Sequence, residues 1–269
     1  MDNSNTSFLV GLKSLLKYHE AIGVSPYPQS DVLQRFLSIS PAVTRSTGSN
    51  GIDEQVVSAA QSPVERAVSR PVETIPTVKL SEIEDDVNSC SACDLHKSRL
   101  YPVAGKGNQK VRLMIVGDWL AADRNGALPE NQVFGVEQDL MLGRMLTAIK
   151  LPAAEVFITN VIKCAVPATC QPLAVHVQSC VSYLRRQIVS LQPEIICTMG
   201  MVASRAVLEK SLPLSRLRGR LHPYKINEKI TVPVLTTYHP TYLLQNPEMK
   251  QATWADLQFL GKRLGLPIG

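Results

Sequence analysis

Aromatic side chains are scarce, at 5% of 269 residues, and none occurs between Leu37 and Leu100. That stretch cannot supply the large side chains on which a core is built. Long apolar runs are missing too. None approaches the roughly 18 residues of a membrane span, so a membrane-spanning helix is excluded. The first residues have no positive flank ahead of a long apolar core, so no secretory signal is expected. Collagen-like, coiled-coil and wholly disordered chains are excluded by composition, and no internal repeat is visible. Against these absences, 45% of the residues are hydrophobic, enough to bury a full core.

Charge is unevenly spread. The net charge is +5. Residues 1–88 carry 7 basic and 11 acidic side chains, whereas 89–269 carry 21 basic and 12 acidic. A basic C-terminal part suits a polyanionic partner such as nucleic acid, although a solvated surface has the same composition.

Phe8, Leu9, Leu12, Leu15, Leu16 and Ile22 fall at helical spacing, so residues 5–22 read as one amphipathic helix. Ser25-Pro26-Tyr27-Pro28 stops it, and a short helix is expected over 31–37. The N-terminal helical segment therefore spans 1–37. Its apolar face is free to dock on the rest of the chain or on a protein partner. Residues 38–86 read as a flexible linker, rich in Ser, Thr and Pro over 38–79. A third segment, 87–269, carries the globular pattern. Strands are expected over 111–117, 156–160, 194–199 and 230–236. Helices are expected over 137–150, 173–191, 201–210 and 247–264. Strands alternating with helices imply parallel βαβ units. Ligands then bind beyond the carboxyl ends of the strands, where Gly117-Asp118, Asn160, Gly200 and the segment after Thr236 should gather.

The chain has six cysteines. With no secretory signal, a reducing compartment such as the cytoplasm is expected, and clustered cysteines then favour a metal or redox role. Cys90-Ser91-Ala92-Cys93 can bring two sulfurs to one metal or cluster. Cys164 and Cys180 form a wider pair. Spacing alone leaves zinc and iron–sulfur both open. Cys197, in an expected strand, and Cys170 read as small buried hydrophobes.

Several motifs in order resemble the family 4 uracil-DNA glycosylases. They are Cys90-x-x-Cys93-x-Leu95-x-x-x-Arg99, Val103-x-Gly105-x-Gly107 and Arg112-Leu113-Met114-Ile115-Val116-Gly117. Thr159-Asn160-Val161-Ile162-Lys163-Cys164 follows, then Arg218-Gly219, Thr237-Tyr238-His239-Pro240-Thr241-Tyr242-Leu243-Leu244 and Asn246-Pro247. The likeness covers roughly residues 88–265. It implies a three-layer αβα sandwich around a four-stranded parallel sheet. It also implies a 4Fe–4S cluster on Cys90, Cys93, Cys164 and Cys180, structural and near the DNA surface.

The activity so implied is hydrolysis of the N-glycosidic bond of uracil, or a related deaminated base, in single- or double-stranded DNA. The expected protein is a monomeric, nucleoid-associated repair enzyme. Such chemistry flips the nucleotide out, stacks the base, reads its edge and stabilises negative charge on O2. Asn160 suits edge reading, because its amide both donates and accepts. His239 suits the O2 anion, since a neutral imidazole still donates one hydrogen bond. Phe134 would stack on the base, with Gly117 allowing close approach and Asp118 orienting water. Lys163, Arg218, Arg220 and Tyr242-Leu243-Leu244 would hold phosphates or fill the vacated stack.

The first active-site motif departs from the family. Gly-Glu-Ala-Pro-Gly is replaced by Gly117-Asp118-Trp119-Leu120-Ala121. Two family glycines after the Phe are Val136 and Asp139. Trp119 would fill the pocket or add a stacking face. The same scaffold without catalysis, an iron–sulfur protein that only binds nucleic acid, is the alternative function.

Overall fold

The computed structural model describes residues 79–122, 129 and 131–267. The expected helices over 5–22 and 31–37 and most of the linker lie outside these residues.

The central sheet grows from continuous apolar runs. β3 (Leu113–Gly117) and β7 (Ile195–Met199) are buried at every residue, as strands covered on both faces must be. They pair in parallel with each other, β3 with β5 (Val156–Asn160) and β7 with β9 (Thr231–Thr237). This is the expected parallel four-stranded core. Two antiparallel edge strands widen it, a difference from the four-strand expectation. β2 (Lys106–Gly107) pairs with β5 and β8 (Leu221–Lys225) with β9. The order is β2-β5-β3-β7-β9-β8. A small second sheet joins β1 (Tyr101–Pro102), β6 (Cys164–Val166) and β4 (Leu120–Ala121).

Helices cover both faces. On one, α2 (Val136–Ala148) and α7 (Lys250–Arg263) bury Leu142, Leu146, Leu257 and Leu260 against Leu113, Ile115, Ile195, Cys197 and Leu235. On the other, α3 (Ala174–Leu191) and α4 (Met201–Leu208) set Leu184, Ile188, Ala203 and Val207 against Met114, Val116, Ile196 and Val234. Odd and even residues of β3 thus feed opposite cores, the period-two rule of a strand. The three-layer αβα reading holds.

The linker boundary moves. Residues 80–88, partly assigned to the linker, form helix α1 (Leu80–Asn88), with Ile83 and Val87 fully buried. Asp86 pairs with Arg186 of α3 at 2.6 Å. Two aliphatic side chains four apart suffice to dock one short helix, even in a stretch without aromatics. Two short helices complete the list, α5 (Leu214–Leu217) and α6 (Pro240–Gln245).

The chain leaves β3 towards β5 and leaves β7 towards β9, in opposite directions. The carboxyl ends of β3 and β7 therefore flank a crevice where ligands bind in such sheets.

Candidate active site

Gly117 ends β3 and is the pivot of the site. A Cβ there would stand 2.3 Å from Phe134 Cε1 and 2.5 Å from Asn160 Oδ1. Only glycine lets the ring, the amide and the strand end meet. Phe134 is 3% exposed, and its ring centroid lies 4.8 Å from that of His239, tilted by 52°. Gly117, Phe134, Asn160 and His239 are thus brought together as expected.

Two polar atoms in this group are buried without a partner, Asn160 Oδ1 and His239 Nε2. Such atoms cost stability and are rare in native proteins. The other end of each side chain is fixed. Asn160 Nδ2 donates to the Val133 carbonyl at 2.5 Å. His239 Nδ1 accepts the Thr241 N–H at 3.2 Å, which places the ring proton on Nε2. Burial pushes the His239 pKa down to about 4, so the ring is neutral near pH 7. The site therefore presents one free acceptor and one free donor beside an aromatic ring.

Asp118 follows Gly117 and is half-buried. Its Oδ1 accepts the Ala203 N–H at 2.7 Å, at the start of α4. Desolvation raises its pKa to about 7, against the lowering effect of the Ala203 and Val202 N–H groups. A Cβ on Gly200 would stand 2.4 Å from Asp118 Oδ2, and Gly200 has φ +103°. Gly200 therefore admits the carboxylate into the crevice between β3 and β7. Trp119 lies elsewhere. It packs with Leu95, Ile162, Cys164, Val166 and Cys180, away from the Phe134 group, so the expectation that it fills the pocket is corrected.

Three DNA-contact expectations are also corrected. Lys163 is 1% exposed. Its Nζ donates to Thr159 Oγ1, the Asn160 carbonyl and Gln187 Oε1 at 2.6, 2.7 and 2.6 Å. All three ammonium protons are used inside the fold, leaving none for a phosphate. Leu243 is 1% exposed and packs with Met201, Leu214 and Tyr238, so it cannot fill a vacated base stack. Arg218 turns inward. It donates from Nε to Asp256 Oδ2 at 3.0 Å and lies 5.2 Å from the Tyr238 ring centroid. Asp256 Oδ2 also accepts from Thr237 Oγ1 at 2.7 Å. Arg218 and Asp256 thereby brace the end of β9, two residues before His239. Tyr242 is half-buried and stacks on Tyr238 at 5.2 Å.

Of the four cysteines, Cys164 lies in β6 and Cys180 in α3, and Cys90 and Cys93 lie between α1 and β1. Among the described residues, no three His, Cys, Asp or Glu side chains are close enough to chelate one metal ion. Cys93, Cys164 and Cys180 nevertheless pack in one cluster with Leu95, Ile162 and Val166. Burial raises the Cys164 pKa, and neighbouring Cys93 and Cys90 raise it further. Burial lifts Cys180 to about 11, with Cys164 and Cys93 adding to the rise. Donors face the sulfurs. Arg99 Nη1 lies 3.9 Å from Cys164 Sγ, and the Lys163 backbone N–H points to Cys180. Cys197, fully buried in β7, is a core residue.

One residue was noticed only as a departure. Asp139, in the first turn of α2, accepts the Val133 N–H on Oδ2 at 2.9 Å and the Phe134 N–H on Oδ1 at 3.0 Å. Its sequence signal, an acid where the family has glycine, gave no partner.

Comparison with known proteins gives the family. The family model of the uracil DNA glycosylase superfamily matches residues 104–258. The Type-4 uracil-DNA glycosylase of Archaeoglobus fulgidus is 31% identical over 190 residues, covering 69% of this chain and 94% of that protein. The Type-4 uracil-DNA glycosylase of Saccharolobus solfataricus is 32% identical over 184 residues, covering 66% and 83%. That of Thermotoga maritima is 26% identical over 179 residues, covering 65% and 90%. The matched span holds Gly117, Phe134, Asn160 and His239, and with it the chain belongs to the uracil DNA glycosylase superfamily.

Proposed function

We propose that this protein hydrolyses the N-glycosidic bond of uracil in DNA. The observation that carries the reading is the pair of buried, unpartnered atoms, Asn160 Oδ1 and His239 Nε2, on two residues grouped with the Phe134 ring. Uracil presents an N3–H donor and carbonyl acceptors on its edge. Asn160 Oδ1 accepts the N3–H. Cytosine carries an acceptor at N3, and the two lone pairs would repel. His239 Nε2–H donates to O2 and stabilises the charge that gathers there as the base leaves. The base reaches both atoms by displacing the Phe134 ring, which then becomes its stacking face. Asp118, ionised above about pH 7, holds the attacking water at the strand end.

Cys90, Cys93, Cys164 and Cys180 fit a 4Fe–4S cluster. Cys93, Cys164 and Cys180 share one apolar surround, Cys90 is close enough to raise the Cys164 pKa, and two N–H donors face the sulfurs, a thiol-rich setting of the kind that holds iron–sulfur clusters. The cluster would supply a structural cross-link between the loop at Cys90, β6 and α3. The N-terminal segment 1–37 and the linker before α1 are proposed to lie outside the catalytic domain. The first is read as a docking element for a protein partner. Among the described residues, no helix is long and apolar enough to cross a membrane.

One observation favours the non-catalytic alternative: Asp118 already gives an oxygen to the Ala203 N–H. One experiment separates the two. Base release is measured from uracil-containing single- and double-stranded DNA, using anaerobically purified protein with His239→Ala alongside. Free uracil from the wild type only supports the enzyme. DNA binding with no release by either protein supports the alternative.

A further inference from the structure

The Val133–Phe134 segment is held from two sides. Its N–H groups both point into the Asp139 carboxylate, at 2.9 and 3.0 Å. Its Val133 carbonyl points the other way and takes the Asn160 Nδ2 donor. Gly135, at φ +122°, turns the chain into α2, and the Asp139 N–H closes back on the Gly135 carbonyl at 2.8 Å. The carboxylate therefore sits under the peptides it accepts from. Charge-assisted bonds of this kind are the stronger ones.

The consequence falls on the Asn160 amide. A carbonyl accepts only from the NH₂ end, so the position of Val133 decides which end of Asn160 faces it. With Val133 O in place, Nδ2 is turned towards it through one of its two N–H donors, and Oδ1 is left bare. Were the segment to drift, the amide could rotate by half a turn. The bare atom would then be a donor, which suits cytosine N3 instead of uracil N3–H.

We infer that Asp139 is a positioning residue that sets base selectivity, by holding Val133 where its carbonyl fixes the Asn160 amide with Oδ1 towards the base. Asp139 touches no substrate and acts through two peptide groups and one amide. The same clamp fixes the backbone of Phe134, the ring beside that amide. The inference rests on the uracil reading above and extends it to an acid that stands where the family has glycine.

The test compares wild type, Asp139→Ala and Asp139→Ser, each loaded with its cluster. Two readouts are taken. The first is the ratio of kcat/KM for uracil release to that for cytosine release from matched single-stranded DNA. The second is the side-chain amide resonance of Asn160, assigned by its loss in Asn160→Ala. The ratio is expected to fall roughly tenfold or more in Asp139→Ala. Asp139→Ser, which keeps one acceptor, should fall less. The Asn160 amide signal should shift in the same order, and the thermal midpoint should fall, more in Asp139→Ala than in Asp139→Ser, because the Val133 and Phe134 N–H groups lose a charged acceptor. An unchanged ratio and an unmoved Asn160 signal in Asp139→Ala would overturn the inference. Equal losses of uracil and cytosine release would also overturn it, as a merely structural role. If the wild type releases no base, the enzyme reading fails, and the Asn160 signal alone decides: moved by Asp139→Ala it supports the clamp, unmoved it overturns it.

Discussion

The rings of Phe134 and His239 stand 4.8 Å apart, tilted by 52°. A hydrophobic wall on one side of an imidazole keeps it uncharged, and the free Nε2 makes it a neutral donor. Removing that donor by His239→Ala should lower base release by about a hundredfold or more, the usual loss for a group that stabilises a developing anion. Release should show no ionisation of His239 between pH 5 and 8, because its folded pKa is about 4.

The same burial fixes a stability window. An unfolded histidine takes up a proton below about 6.5, whereas His239 resists until about 4. In that interval the unfolded chain binds more protons, so stability is lost as pH falls from 6.5 towards 4. Denaturant midpoints at pH 7 and pH 5 should drop further in the wild type than in His239→Gln. Equal drops would mean the ring is not held neutral.

Asp118 runs in the opposite direction. Its folded pKa, about 7, stands above the ordinary value of 3.8 because of desolvation. The folded chain holds the proton longer, so this group costs stability as pH rises from about 4 to 7. Asp118→Asn should therefore be at least as stable as the wild type at pH 8, since an amide can still accept from Ala203. Base release should climb through pH 7 in the wild type and be low and flat in Asp118→Asn. A wild-type profile with no rise near pH 7 would take Asp118 out of the water-holding role.

Much of this was legible in the residues. The four central strands are apolar runs buried on both faces, and burial of that kind writes itself into consecutive positions. β2 was not legible, because two residues carry no period. β8 was missed because Pro223 and charged neighbours hide its alternation at a sheet edge. Site residues contributed by strand ends were found, since their places follow from topology. Lys163 and Leu243 were misplaced. A lysine is ordinarily exposed, and nothing local to Lys163 shows that Gln187 will reach it from α3. Asp139 could be marked as unusual, but its partners became visible only once α2 was folded back.

Lys163 gives a further prediction. Lys163→Met should lower stability on the order of 3 kcal/mol, because Thr159, Gln187 and the Asn160 carbonyl lose a buried donor. It should leave the dependence of DNA affinity on salt unchanged, because no phosphate contact is lost. A slope reduced by about one in a plot of log affinity against log salt would instead show a phosphate contact.

The cysteines divide by what surrounds them. Cys164 and Cys180 share their apolar surround with Cys93 and receive N–H donors from Arg99 and Lys163. Cys197 is enclosed in β7, where burial raises its pKa strongly and leaves the thiol inert. Cys164→Ser or Cys180→Ser should abolish bound iron and sulfide and the brown colour of anaerobically purified protein, and should lower stability, because the proposed cluster is what would tie the loop at Cys90 to β6 and α3. Cys197→Ala should keep full iron and lose only packing, about 1 kcal/mol or somewhat more. Cys170 also packs against this group and is outside the proposed ligand set, which makes it the stricter control. Full iron in Cys170→Ser with none in Cys164→Ser identifies the four-cysteine set, whereas iron lost in Cys170→Ser and kept in Cys90→Ser would reassign the ligands.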